Sequence, residues 1–110
     1  MTAGAPQDLR SIRAVVFQED GWWIGQCLEV DLATQTRRLE DLPRELRRLL
    51  AVQVAASAQV GIAPFAGLTA APRRFWDMYE QARSRLEPIS GTDTAPDAVA
   101  ALSIETRVAA

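Results

Sequence analysis

The chain has no histidine, no lysine and no asparagine, and it has a single cysteine. Without histidine there can be no Ser-His-Asp or Cys-His nucleophile pair and no histidine-ligated metal, which removes much of hydrolytic and metalloenzyme chemistry. Cys27, the lone cysteine, rules out an intramolecular disulfide and any CxxC motif. Its apolar neighbours on an expected strand make it a core thiol rather than a reactive one, in keeping with a reducing cytoplasm. A surplus of positive charge is also missing. Twelve basic residues, all arginine, face 14 acidic ones, giving a net charge of −2 and a pI near 5.1. That balance lacks the electrostatic footprint of a protein that grips nucleic-acid phosphates, so nucleic acid is not an expected partner and a basic protein suits the charge better.

Targeting and membrane signals are absent too. Residues 1–10 (MTAGAPQDLR) have neither a basic start nor an apolar run, so no secretory signal is read and a cytoplasmic location is expected. Residues 49–71 carry no charge, yet they contain Gln53, Ser57, Gln59, Gly61, Pro64 and Gly67. With so much Ala, Gly and Thr the transfer energy is small, and the stretch reads as a buried helix followed by an apolar loop, not a membrane span.

What remains, 110 residues that are 48% hydrophobic and 24% charged, is one domain with a modest core. Residues 1–10 are expected to be a loose arm, 11–86 the folded unit, and 87–110 a linker with a terminal segment. Residues 11–18 (SIRAVVFQ) predict a strand with Ile12, Ala14 and Val16 on one face and Val15 and Phe17 on the other. Asp20-Gly21 is a hairpin turn signal. A second strand over 22–29 alternates Trp22, Ile24, Gln26 and Leu28 against Trp23, Gly25, Cys27 and Glu29. A short third strand falls within residues 30–36, after a bend near Asp31.

The period then becomes helical. Leu39, Leu42, Leu46, Leu49, Ala56 and Val60 share one side, widened by Leu50 and Val54, while Arg44, Arg47 and Arg48 with Glu45 form a solvated face that could otherwise meet an acidic partner or phosphate. Asp41 is the candidate N-cap, Pro43 must lie in the first turn, and Gly61 ends the helix. In the loop over 62–71, Phe65 and Leu68 are expected to tuck against the core. Pro72 opens a second helix over 72–86 with Phe75, Trp76, Tyr79, Ala82 and Leu86 as its stripe. Residues 88–96 are a turn-rich linker, and the alternation over 100–108 fits either a final strand or a frayed tail.

The run GWWIGQCLEVDLATQ followed by LEDLPRELRRLL resembles the N-terminal domain of HicB-like antitoxins. Gly21, Trp22, Cys27, Leu28, Glu29, Val30, Asp31, Thr34, Gln35, Leu39 and Glu40 carry the resemblance. Thr36, Arg38, Leu42 and Pro43 depart from the family pattern, so the helix entry should differ by a residue or two. The resemblance implies an α+β fold of partial RNase H type: a three-stranded antiparallel sheet with one long helix packed on a face and a small extra strand or helix, to which the residue pattern adds the second helix and, as one of its two readings, a short C-terminal strand. It also implies a non-catalytic antitoxin whose partner is a small, basic, HicA-like mRNA-cleaving toxin. Residues 72–110 do not resemble the DNA-binding module that many family members carry.

Two other functions stay open at this point. One is an orphan, self-associating or regulatory protein. The other is a metal-dependent nuclease, which would need converging carboxylates to hold its metals. Glu19, Asp20, Glu29 and Asp31 sit in turns and at strand ends instead, where they either solubilise loops or face a basic partner. No cofactor is implied. Trp22 and Trp23 fall on opposite faces of one strand, so both are covered only if both sheet faces are covered. The second face must meet the second helix, through Phe75 and Trp76, or a partner protein, or another subunit in a homodimer or larger homo-oligomer. Trp22, Trp23, Glu29, Asp31, Gln35 and Trp76 are the candidate partner-binding residues.

Overall fold

The computed structural model describes residues 11–82, 84–85 and 103–109. The expected arm over 1–10 and linker over 88–96 lie outside them. The elements run β1 (Ser11–Glu19), β2 (Trp22–Cys27), β3 (Ala33–Thr36), a 3-10 turn (Leu39–Asp41), α1 (Leu42–Gln59), α2 (Arg73–Gln81), β4 (Ser84–Arg85) and β5 (Ser103–Val108). The fold is α+β.

The hairpin forms where the sequence places it. Glu19 pairs with Trp22, leaving Asp20 and Gly21 as a two-residue loop. Both have positive φ, 53° and 81°, the conformation that matches the right-handed twist of the flanking strands and that Asp-Gly tolerates. β3 then pairs antiparallel with β2.

The expected sheet of three antiparallel strands is corrected here. Five strands are hydrogen-bonded in the order β3-β2-β1-β5-β4, with β5 parallel to β1, so the sheet is mixed. The reason is visible in β1, where Ile12, Ala14, Val15 and Val16 are all fully buried. β1 is the central strand, its two faces covered by α1 and α2 and its second edge paired by β5. The terminal segment is therefore a strand, over Ser103–Val108, with Ile104 and Thr106 buried.

Each face of the sheet has its own core. On one side α1 packs Leu42, Leu46, Leu50 and Val54 against Ile12, Ala14, Val16, Cys27, Val30 and Ile104, with Trp23 partly buried among them. Burying each such leucine contributes on the order of 1.5–3 kcal/mol. Gly25 makes the approach possible: a Cβ there would lie 3.1 Å from Leu46 Cδ2. The buried line along α1 is Leu42, Leu46, Leu50, Val54 and Ser57, whereas Ala56 is exposed and Val60 is 71% exposed. The expected stripe through Leu49, Ala56 and Val60 is thus corrected. The helix packs along its slanted i, i+4 ridge, not along the straighter seam that the leucine spacing suggests. Pro43 lies in the first turn as anticipated, but Asp41 has helical dihedrals and its side chain caps nothing. Phe65 is buried in the α1-side core, with Leu68 packed beside it.

On the other side α2 lays Tyr79 against Val15, Leu28 and Ala71, with Phe17, Phe75 and Trp76 around them. Phe17 and Phe75 stack with ring centroids 6.0 Å apart. α2 is shorter than expected, because at Ala82 the backbone turns extended (ψ 137°). Ser84 and Arg85 then pair with Val108 and Arg107 of β5, so the segment that reads as a last helical turn is a sheet edge.

Candidate functional site

The bend between β2 and β3 is where most of the candidate residues gather. β2 leaves the ladder after Cys27. Leu28 N–H still donates to Arg13 C=O (2.8 Å), but the Leu28 carbonyl turns away to accept from Ala71 N–H (2.9 Å). Arg13 N–H would be left without its ladder acceptor. Glu29 supplies one: Oε1 accepts from Arg13 N–H and Oε2 from Arg13 Nε, both at 2.7 Å. The carboxylate thus acts as an extension of the β1–β2 ladder while neutralising the guanidinium beside it. Arg13 in turn stacks over Trp76, 4.8 Å from the ring centroid, and Trp76 Nε1 donates to Ala71 C=O (3.1 Å). Glu29, Arg13 and Trp76 form one chain of contacts that fastens α2 to the bend.

Asp31 is held nearby by a different residue. The buried Gln26 amide donates to Asp31 Oδ1 (2.9 Å) and to Cys27 C=O (3.0 Å), while Asp31 N–H donates to Thr69 C=O (2.8 Å). Sequence reasoning placed Gln26 on a strand face and missed this role. A glutamine among apolar strand residues, just ahead of a bend with free backbone groups, was the available signal. Cys27 is fully buried at the same place, and burial, reinforced by the nearby Glu29 charge, pushes its thiol up to about 12.

The two tryptophans of β2 part company, as their alternation requires. Trp23 lies on the α1 side against the main core. Trp22 lies on the α2 side, outside the cluster that α2 covers, with the Arg37 guanidinium 3.9 Å from its ring centroid. Ile24 pairs with Gln35 and, like Trp22, is only partly buried, while Gln35 is exposed. α2 covers the β1 half of this face, and no other described element covers the β2–β3 half, which is open among the described residues. Its apolar floor is Trp22 and Ile24. Exposed Glu19 and Asp20 border it at the hairpin turn, and exposed Asp31 borders it at the bend.

The candidate residues therefore do not form one patch. Trp22 and Gln35 share the open half-face with Asp31 at its end, Glu29 and Trp76 belong to the α2 anchor, and Trp23 faces the opposite core. The four carboxylates considered for metal chemistry are divided between the two ends of the β1–β2 hairpin, and among the described residues no three His, Cys, Asp or Glu side chains converge. Among the described residues no helix is long and apolar enough to cross a membrane. On α1, Arg44 is exposed and pairs loosely with Asp41 at 3.6 Å.

No family model, no curated protein and no solved structure matches this chain.

Proposed function

We propose that the chain is a non-catalytic, HicB-like protein-binding domain that neutralises a small, basic, HicA-like mRNA-cleaving toxin. The observation that carries this reading is the open β2–β3 half of the α2-side face. Trp22 and Ile24 offer a partly exposed apolar floor, and Glu19, Asp20 and Asp31 supply an acidic border. Aromatic floors with charged borders are favoured at protein contacts, and the sign of the border suits a basic partner. Binding at this face would act by covering the toxin's catalytic groups, which requires no chemistry from the antitoxin. Glu29, Trp76 and Gln26 serve by fixing the bend and α2, so that the half-face stays shaped and uncovered.

If a small basic protein is encoded beside the gene, its co-expression with the chain tests this reading, and the absence of such a neighbour counts against it. A stoichiometric complex is expected, with toxin-arrested growth relieved. Ile24→Asp, which puts a charge in the middle of the floor, is expected to abolish both effects while leaving the far-UV circular dichroism unchanged. Rescue that is untouched by Ile24→Asp would place the contact elsewhere.

A further inference from the structure

The edge strand β3 is self-complementary. It is the outermost strand on its side of the sheet, and its residues Ala33, Thr34, Gln35 and Thr36 include no charge and no proline. Proteins commonly guard an edge with those two residue classes. The other edge, β4, is two residues long and carries Arg85.

The backbone direction of β3 follows from its neighbour. Leu32 C=O accepts from Cys27 N–H, so Leu32 faces β2. With a period of two, Thr34 and Thr36 also face β2, while the N–H and C=O groups of Ala33 and Gln35 point outward. No backbone bond among the described residues reaches either of them.

We propose that a second copy of this chain pairs with this edge, antiparallel, about a two-fold axis at Thr34. In that register Ala33 of one protomer lies opposite Gln35 of its partner, and the outward groups of each pair satisfy one another on both sides of the axis. Thr34 meets its own symmetry mate in the close, non-hydrogen-bonded position, a favourable threonine pair. Asp31 and Arg37 flank β3 just beyond its two ends, so the same register brings Asp31 near the symmetry-related Arg37, twice. Side chains alternate along a strand, so Asp31, Ala33, Gln35 and Arg37 share the α2-side face. The contacts agree: Gln35 pairs with Ile24, Asp31 is bonded by Gln26, and Arg37 stacks on Trp22. Opposite charges are therefore aligned on one face by the register that pairs the backbones. A sheet of five strands would become a continuous sheet of ten, and the two open half-faces would adjoin across the axis. The contact is short, so affinity on the order of micromolar is expected, not that of an obligate dimer. This inference does not rest on the existence of a toxin.

Charge exchange between two variants tests it. In sedimentation velocity over a micromolar concentration series, the wild-type chain is expected to pass from monomer to dimer. Asp31→Arg alone sets arginine against arginine across the axis, and Arg37→Asp alone sets aspartate against aspartate. Each is expected to stay monomeric. An equimolar mixture of the two variants restores both opposite-charge pairs and is expected to dimerise, which unfolded proteins could not do. A wild-type chain that is monomeric throughout, or a dimer indifferent to both substitutions, overturns the proposal. So does a mixture that stays monomeric although each variant keeps the wild-type circular dichroism spectrum.

Discussion

Replacing Glu29 with alanine tests whether its carboxylate completes the β1–β2 ladder. The substitution removes two acceptors at once, Oε1 from Arg13 N–H and Oε2 from Arg13 Nε. The first loss strands a backbone donor beside the fully buried Ile12 and Ala14, at a cost of about 1–3 kcal/mol. The second breaks an ion pair whose arginine side chain is 40% exposed, so screening limits its contribution to less than about 1 kcal/mol. Together they give a loss of about 1–4 kcal/mol, a large part of the roughly 5–15 kcal/mol typical of a domain. At the middle of that range the expected fall in Tm is about 10–20 °C. Glu29→Gln separates the two parts. Its amide oxygen can still accept from Arg13 N–H while its NH2 group faces Arg13 Nε, so about 1 kcal/mol should be lost. Urea unfolding monitored by tryptophan fluorescence measures both variants. The order wild type, then Glu29→Gln, then Glu29→Ala is expected, and an alanine variant within about 0.5 kcal/mol of wild type would refute the ladder role.

Two further outcomes follow from the core. Cys27 is protonated in the folded chain until pH reaches about 12, against an unperturbed value of 9.0. Its folded pKa is raised, so this contribution to stability is fully present below pH 9 and is lost as pH climbs toward 12, at up to about 1.4 kcal/mol per pH unit. Cys27→Val should flatten that alkaline decline in urea titrations between those pH values, and an unchanged slope would contradict the assignment. Thr106 is 2% exposed and its hydroxyl has no hydrogen-bond partner among the described residues. Thr106→Val removes a buried unsatisfied group at nearly constant shape, and stability should rise by about 1 kcal/mol. A lower urea midpoint would show that the hydroxyl is satisfied in solution.

Much of the fold is legible in the sequence wherever one local signal decides. Asp20-Gly21 sets the turn, the alternation in β1 sets its two faces, and Pro72 marks the start of α2. The strand that pairs with the second edge of β1 and makes the sheet mixed lies far along the chain, where pattern gives no pairing. The early end of α2 was hidden for a related reason. No breaker stands at Ala82, Ser84 or Arg85, yet Ala82 turns extended and Ser84 and Arg85 pair with the edge that β5 offers. The candidate site was legible in part. Alternation alone separated Trp22 from Trp23. Glu29 reads from sequence as a partner-facing acid, and only the path of the Leu28 carbonyl, turned toward Ala71, explains why Arg13 needs a carboxylate. The arginine stacks on Trp22 and Trp76 join residues brought together by register and helix placement, which spacing along the chain does not encode.

The central claim, that the open β2–β3 half-face receives a small basic protein, is tested most directly by native mass spectrometry of the chain purified at its natural expression level. A stoichiometric complex with a small basic protein, lost on Ile24→Asp, is the predicted result. A chain that carries only copies of itself, or no partner at all, would contradict the claim.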